Sequence, residues 1–93
     1  MFVTPLLSSS KEKAMRHVAT ADVNMGIKEP SVLTIANDAG SIFLKYSALS
    51  SPAEFAKSCV GICKLFDAKL VWEKSGPGHV FGHAVQKEGY ENI

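Results

Sequence analysis

Residues 69–78 read KLVWEKSGPG, and this stretch decides the fold class. The apolar run at 69–72 has the length and composition of a buried parallel strand, and a carboxylate, Glu73, follows it at once. A Gly-Pro-Gly turn at 76–78 then opens onto a helical pattern. Sheets in α/β proteins place their chemistry at the carboxyl ends of strands, above the loops that open helices. The stretch therefore predicts an α/β fold with a candidate site at Glu73.

The residues before this stretch predict a strand and a hairpin. Residues 17–21 read as a short strand that runs into Asp22. Residues 31–36 and 41–46 read as strands on either side of the turn signal Asn-Asp-Ala-Gly at 37–40. Because these two strands are joined by a tight turn, they predict an antiparallel hairpin.

Two helices complete the pattern. Ser51 and Glu54 form a capping box for a helix over 52–66, whose apolar residues recur on one face. A second helix is predicted over 78–88, and residues 90–93 read as the start of another strand. The order is therefore strand, hairpin, helix, strand, helix and strand, in which the first helix carries the chain across a sheet.

The composition is that of one small globular domain. The 93 residues are 46% hydrophobic and 20% charged, and the net charge of +1 gives no support for a large basic DNA-binding face. No apolar run approaches the roughly 20 residues of a membrane span, so a cytoplasmic protein is expected. Residues 1–15 read as a leader in which Ser10 caps a short helix. Cys59 and Cys63 read as reduced thiols of the core.

The stretch that decides the fold also resembles part of a known family, the nuclease domain of phage terminase large subunits. In that family a strand ends in Glu, and Asn/Ser-Gly-Pro-Gly, a helix and a Gly-Tyr-x-Asn-Ile segment follow. The corresponding residues here are Glu73, Ser-Gly-Pro-Gly at 75–78 and Gly-Tyr-Glu-Asn-Ile at 89–93. Asp22 with Gly26 four residues later adds to the resemblance.

The resemblance implies a ribonuclease H-like fold: a mixed sheet, made of an antiparallel hairpin plus parallel strands, with flanking helices. Residues 16–93 would then be a partial nuclease domain that is truncated at its C-terminus. In that fold the strand ending at Glu73 lies parallel to the strand ending at Asp22 and next to it. Both carboxylates would share Mg²⁺ or Mn²⁺ and act as the catalytic metal ligands of a two-metal endonuclease. The alternative from the residues alone is that Asp22 initiates a turn and Glu73 is a solvated strand end.

Three residues after Glu73 are candidates for DNA contact. The glycines Gly76 and Gly78 let the backbone approach a ligand closely, and free amides at the start of the following helix suit a DNA phosphate. Lys74 is a further phosphate contact, although a tight structural turn and a solvated lysine are the alternatives. His79 and His83 share a helix face at a spacing that can bind zinc, but without a third ligand the pattern favours surface histidines.

The resemblance implies a role in phage genome packaging. Double-stranded DNA would be the substrate, portal and other terminase components the partners, and an infected or lysogenic bacterium the host. The family's third carboxylate lies beyond the segment that resembles it here, and no phosphate-binding loop of an ATPase motor is present, so a fragment inactive by itself is expected. The alternatives are a small non-enzymatic α/β module that forms a homodimer or binds a protein partner, and another ribonuclease H-like protein such as a resolvase or an ATP-binding relative.

Overall fold

The computed structural model describes residues 16–93, so the predicted leader at 1–15 and its helix cap at Ser10 lie outside the described residues. Within this range neither helix combines the length and hydropathy that crossing a membrane requires. The elements in chain order are β1 (His17–Asp22), β2 (Ser31–Asn37), β3 (Ile42–Ala48), α1 (Pro52–Phe66), β4 (Lys69–Trp72) and α2 (Pro77–Lys87).

The sheet is mixed, as the sequence predicts. Its strand order is β3-β2-β1-β4, with β1 antiparallel to β2, β2 antiparallel to β3, and β4 parallel to β1. In the parallel pair, Ala21 lies opposite Trp72, so that β1 and β4 end at the same edge of the sheet. The chain is therefore a small α/β domain built from a hairpin and one parallel strand.

Both helices cover the same face of the sheet. The side chains of β1 alternate between buried and exposed, and those of β4 do the same. The buried members pack with α1 and α2 into one core, whereas Val18 and Val71 on the opposite face remain 41% and 42% exposed. Trp72 belongs to the core, as predicted, with 8% exposure. The domain thus has two layers and one open sheet face.

The predicted Ser51 cap and the proline at the start of α1 are confirmed. The Ser51 hydroxyl accepts a hydrogen bond of 3.2 Å from the Glu54 backbone N–H, and Pro52 stands at the first helical position. The helix ends at Asp67, whose φ of 50° is left-handed. Cys59 and Cys63 are free and buried, as predicted, and burial raises the pKa of Cys63 to about 12.

The last segment differs from its prediction. Residues 90–93 do not form a strand, although the Leu70 N–H of β4 donates a 2.8 Å hydrogen bond to the Asn92 carbonyl. The segment therefore lies beside β4 and makes one backbone hydrogen bond with it, whereas a paired strand would make several. A β-ladder needs further hydrogen-bonded residue pairs in register. The side chains of Tyr90 and Asn92 in this segment instead donate to backbone carbonyls that precede β4.

Candidate functional site

Asp22 and Glu73 lie at the same edge of the sheet. The parallel pairing brings Ala21 opposite Trp72, so Asp22 and Glu73 occupy the next register position, about 4.8 Å apart along the hydrogen-bonding direction. Ala21 and Trp72 are buried beneath the helices, and because side chains alternate along strands, both carboxylates belong to the open face. Both side chains are exposed. The structure therefore brings together the two residues that the sequence singles out.

Most oxygen lone pairs of the two carboxylates remain available to accept hydrogen bonds or to coordinate a cation. Glu73 Oε2 accepts a hydrogen bond of 3.3 Å from the Ser75 hydroxyl, which restricts the rotation of the carboxylate. Two exposed carboxylates on neighbouring strands favour a hard divalent cation through their mutual repulsion and their oxygen donors. Among residues 16–93, however, no group of three or more His, Cys, Asp or Glu side chains is arranged to hold a metal ion. The pair therefore supplies two protein ligands.

The loop after Asp22 is fixed by close backbone packing. Gly26 has a φ of 81°, and a Cβ added there would lie 2.0 Å from the Ser50 carbonyl oxygen. The Asn24 N–H donates a 2.8 Å hydrogen bond to the Ser31 hydroxyl, which is fully buried. The spacing from Asp22 to Gly26 thus has a structural cause, because only glycine fits where this loop meets the chain after β3.

The glycines after Glu73 also have structural causes. Gly76 adopts φ 58° and ψ −128°, a conformation that favours glycine. A Cβ at Gly78 would lie 1.8 Å from the Glu73 carbonyl oxygen, so the first turn of α2 presses against the end of β4. The Gly78 N–H donates to the Ser75 carbonyl at 3.0 Å, and the His79 N–H donates to the Gly76 carbonyl at 3.0 Å. These two amides are therefore already used within the turn, and the predicted DNA contact of Gly76 and Gly78 stays a prediction.

Trp72 fixes the loop to the helix. Its indole Nε1–H donates a 3.1 Å hydrogen bond to the Gly78 carbonyl, and its ring meets Phe81 edge-on with centroids 5.2 Å apart. Gly82 lies so close that an added Cβ would approach the ring to 2.9 Å. Lys74 Nζ lies 4.8 Å from the centroid of the ring, which is a cation–π geometry. These roles of Gly82 and the indole N–H carry no signal in a single sequence.

A groove of about 250 Å³ runs between the end of β4 and the exposed side of α2. Trp72, Gly78 and Gly82 are among its lining residues, and Ile93 lies at its margin. Its polar lining residues are Lys74, His79, His83 and Gln86. The two histidines therefore share a face of α2, as their spacing predicts, and Lys74 from the preceding loop lines the same groove.

The Gly-Tyr-x-Asn-Ile segment holds the other end of β4. The Tyr90 hydroxyl donates to the carbonyl of Ala68, which lies between α1 and β4, and to that of Cys63 in the last turn of α1, the latter at 3.4 Å. Asn92 Nδ2 donates to the Asp67 carbonyl at 3.0 Å and to its carboxylate at 3.4 Å. Burial, followed by the proximity of Cys63, raises the pKa of Tyr90 to about 12. Tyr90 and Asn92 of this segment thus have a structural role, which is to hold the backbone before β4. The sequence interpretation missed this role.

Comparisons with known proteins identify no relative: no family model, no curated protein and no solved structure matches this chain. The chemistry of the site is therefore inferred from its own residues.

Proposed function

We propose that this chain is the metal-binding part of a DNA endonuclease with a ribonuclease H-like fold, related to the nuclease domain of phage terminase large subunits. The single observation that carries the proposal is the parallel register of β1 and β4, which makes Asp22 and Glu73 neighbours at one sheet edge. The strand order β3-β2-β1-β4, with both helices on one face, is compatible with that fold. In this proposal the substrate is double-stranded DNA, and the partners are portal and other terminase components of genome packaging.

The residues present fit Mg²⁺ or Mn²⁺, which prefer oxygen ligands and retain several waters. When bound, such ions supply the positive charge that activates an attacking water and stabilises the leaving oxygen of a phosphodiester. Asp22 and Glu73 would hold the cation, and the Ser75 hydroxyl, which donates to Glu73 Oε2, would help to orient that carboxylate. Two protein ligands from residues 16–93 hold a cation loosely, so we expect weak binding and little or no cleavage by this chain alone.

Titration with Mn²⁺ tests the proposal. Trp72 is the single tryptophan of the chain and immediately precedes Glu73, so its fluorescence is the reporter of cation binding, from the face of β4 opposite the carboxylates. We expect Mn²⁺ to quench this signal with saturation, and we expect Asp22→Asn combined with Glu73→Gln to abolish the saturable response. Glu88→Gln combined with Glu91→Gln removes the same charge from exposed positions at the far end of α2 and beyond it, and serves as the matched control. If the Asp22 and Glu73 variant binds Mn²⁺ as well as the parent, the two carboxylates are not the site.

A second candidate function is a non-enzymatic module that associates with itself. The observation in its favour is the open sheet face, on which the apolar side chains of Val18 and Val71 are more than two-fifths exposed. Sedimentation of the parent chain against Val18→Lys combined with Val71→Lys tests it. A dimer that the double variant converts to a monomer supports this function, and a parent that remains monomeric at high concentration rejects it.

A further inference from the structure

The groove between the end of β4 and α2 has an unusual lining. Its titratable side chains are Lys74, from the loop after β4, and His79 and His83, from the exposed face of α2. Gln86 adds an amide one helical turn further on. Each of these side chains can donate hydrogen bonds. Among residues 16–93, no Asp or Glu side chain lines the groove.

The position of Lys74 is constrained. Its ammonium lies 4.8 Å from the centroid of the Trp72 ring, and the Trp72 indole is itself fixed by its hydrogen bond to the Gly78 carbonyl. Gly82 removes the side chain that would otherwise separate the ring from the helix. The Lys74 ammonium therefore lies beside the Trp72 ring in the groove, and His79 and His83 follow at successive turns of α2.

We infer that this groove binds the phosphodiester backbone of DNA, through Lys74, His79, His83 and Gln86. This inference rests on the proposed function, because the groove and the candidate cleavage site lie at the same end of β4. It also relocates the DNA contact. The amides of Gly78 and His79 are used within the turn, whereas the side chains of the groove are exposed.

The chemistry favours the backbone over the bases. Trp72 is the aromatic residue of the groove and is only 8% exposed, so it offers little surface on which a base could stack. A lysine and two imidazoles instead match the charge and the acceptor oxygens of successive phosphates.

Binding of a fluorescein-labelled DNA duplex, followed by anisotropy at low salt and in EDTA, tests this inference without the metal site. We expect the parent chain to bind the duplex, and we expect His79→Gln combined with His83→Gln to weaken that binding several-fold. Lys74→Gln should also weaken binding and reduce the salt dependence, log K against log salt, by about one unit of slope.

Lys57→Gln and Lys64→Gln are the matched controls, because each removes one exposed lysine of α1 outside the groove. Groove variants that bind DNA as tightly as the parent overturn the inference, as do controls that lose as much affinity as Lys74→Gln. Loss of Zn²⁺ binding without loss of DNA binding in the histidine variant also overturns it, since the pair would then be a metal chelate. None of these results depends on Asp22 and Glu73, whose failure would appear separately in the Mn²⁺ titration.

Discussion

The two ends of β4 are built in opposite ways. At its amino end, polar side chains hold the backbone: the Tyr90 hydroxyl and the Asn92 amide donate to carbonyls in the last turn of α1 and in the turn between α1 and β4. At its carboxyl end the backbone is held by backbone packing and by the Trp72 indole, while the side chains of Glu73 and Lys74 remain exposed. The same short strand thus has a structural end and an end with side chains available for ligands.

This difference shows where a site can be located on a small domain. Precise positioning requires a rigid support, and the carboxyl end obtains it from glycines and an indole and not from its polar groups. Glu73 is therefore held in place without its carboxylate being used up. At the amino end, moving a polar side chain away would leave its carbonyl partner without a hydrogen-bond donor, which costs free energy. These side chains are therefore not available for chemistry.

The largest expected effect breaks the carboxyl end. Gly78→Ala adds a Cβ 1.8 Å from the Glu73 carbonyl oxygen, which is backbone and cannot move aside easily. We expect the free energy of unfolding to fall by about 3 kcal/mol, as for overpacking of a tight contact. Denaturation by urea, followed through Trp72 fluorescence, measures it.

Gly61→Ala is the matched control for this substitution. Gly61 lies inside α1, where an added Cβ meets nothing within 4 Å. We expect this change to raise the free energy of unfolding by about 0.5–1 kcal/mol, because alanine favours the helix. Equal stabilities of the Gly78 and Gly61 variants would show that the loop after Glu73 is not held as described.

The fold was largely accessible from the sequence because its signals are local. The capped helix over 52–66, the hairpin around the turn at 37–40 and the apolar run at 69–72 each lie within a single window. The second helix begins at Pro77, one residue before its prediction, since proline suits the first helical position. The local pattern predicts a strand start at 90–93, because it does not show the hydrogen-bond partners that Tyr90 and Asn92 have elsewhere in the chain.

The candidate site was accessible in part. The parallel pairing of β1 with β4 is as the strand order predicts, and its last pair, Ala21 with Trp72, immediately precedes Asp22 and Glu73. Their role as metal ligands stays a prediction. The groove was not accessible, because it depends on the close approach of Gly82 to the Trp72 ring and on the position of Lys74 over that ring. Contacts of this kind depend on three-dimensional packing, and one sequence without relatives does not reveal them.

A smaller effect is expected at the amino end of β4. Tyr90→Phe keeps the ring but leaves the carbonyls of Ala68 and Cys63 without the hydroxyl donor. We expect a loss of about 1–2 kcal/mol in the free energy of unfolding. Tyr46→Phe, whose ring stacks on Phe55 with centroids 5.9 Å apart, is the control and should change stability by about 0.5 kcal/mol or less. A Tyr90 variant as stable as this control would contradict the assignment.

The amino end should also make stability depend on alkaline pH. The pKa of Tyr90 is raised to about 12 in the folded chain, above the value of about 10 for a free tyrosine. The folded state therefore keeps its proton at pH values where the unfolded state has lost it, so the free energy of unfolding falls as pH rises from about 10 to about 12. Cys59 and Cys63, whose pKa values burial also raises, add a loss that starts nearer pH 8.5.

Urea denaturation across pH 8–11 measures this dependence. The decline in stability should be shallower in Tyr90→Phe than in the parent above pH 10, while the earlier part of the decline, which belongs to the thiols, should remain. A parent whose stability is flat to pH 11 would mean that these groups titrate as freely in the folded chain as in the unfolded one.

The smallest expected effect on stability is at the candidate site itself. Asp22→Asn combined with Glu73→Gln removes two exposed carboxylates that contribute no buried contact, apart from the Ser75 hydroxyl bond that an amide oxygen can replace. We expect the free energy of unfolding without metal to change by about 0.5 kcal/mol or less, or to rise slightly because like charges no longer face each other across β1 and β4. Mn²⁺ should then stabilise the parent and leave the variant unchanged, since only a state that binds the cation gains from it. A large loss of stability in the metal-free variant would make these carboxylates structural, and the contrast between the two ends of β4 would no longer hold.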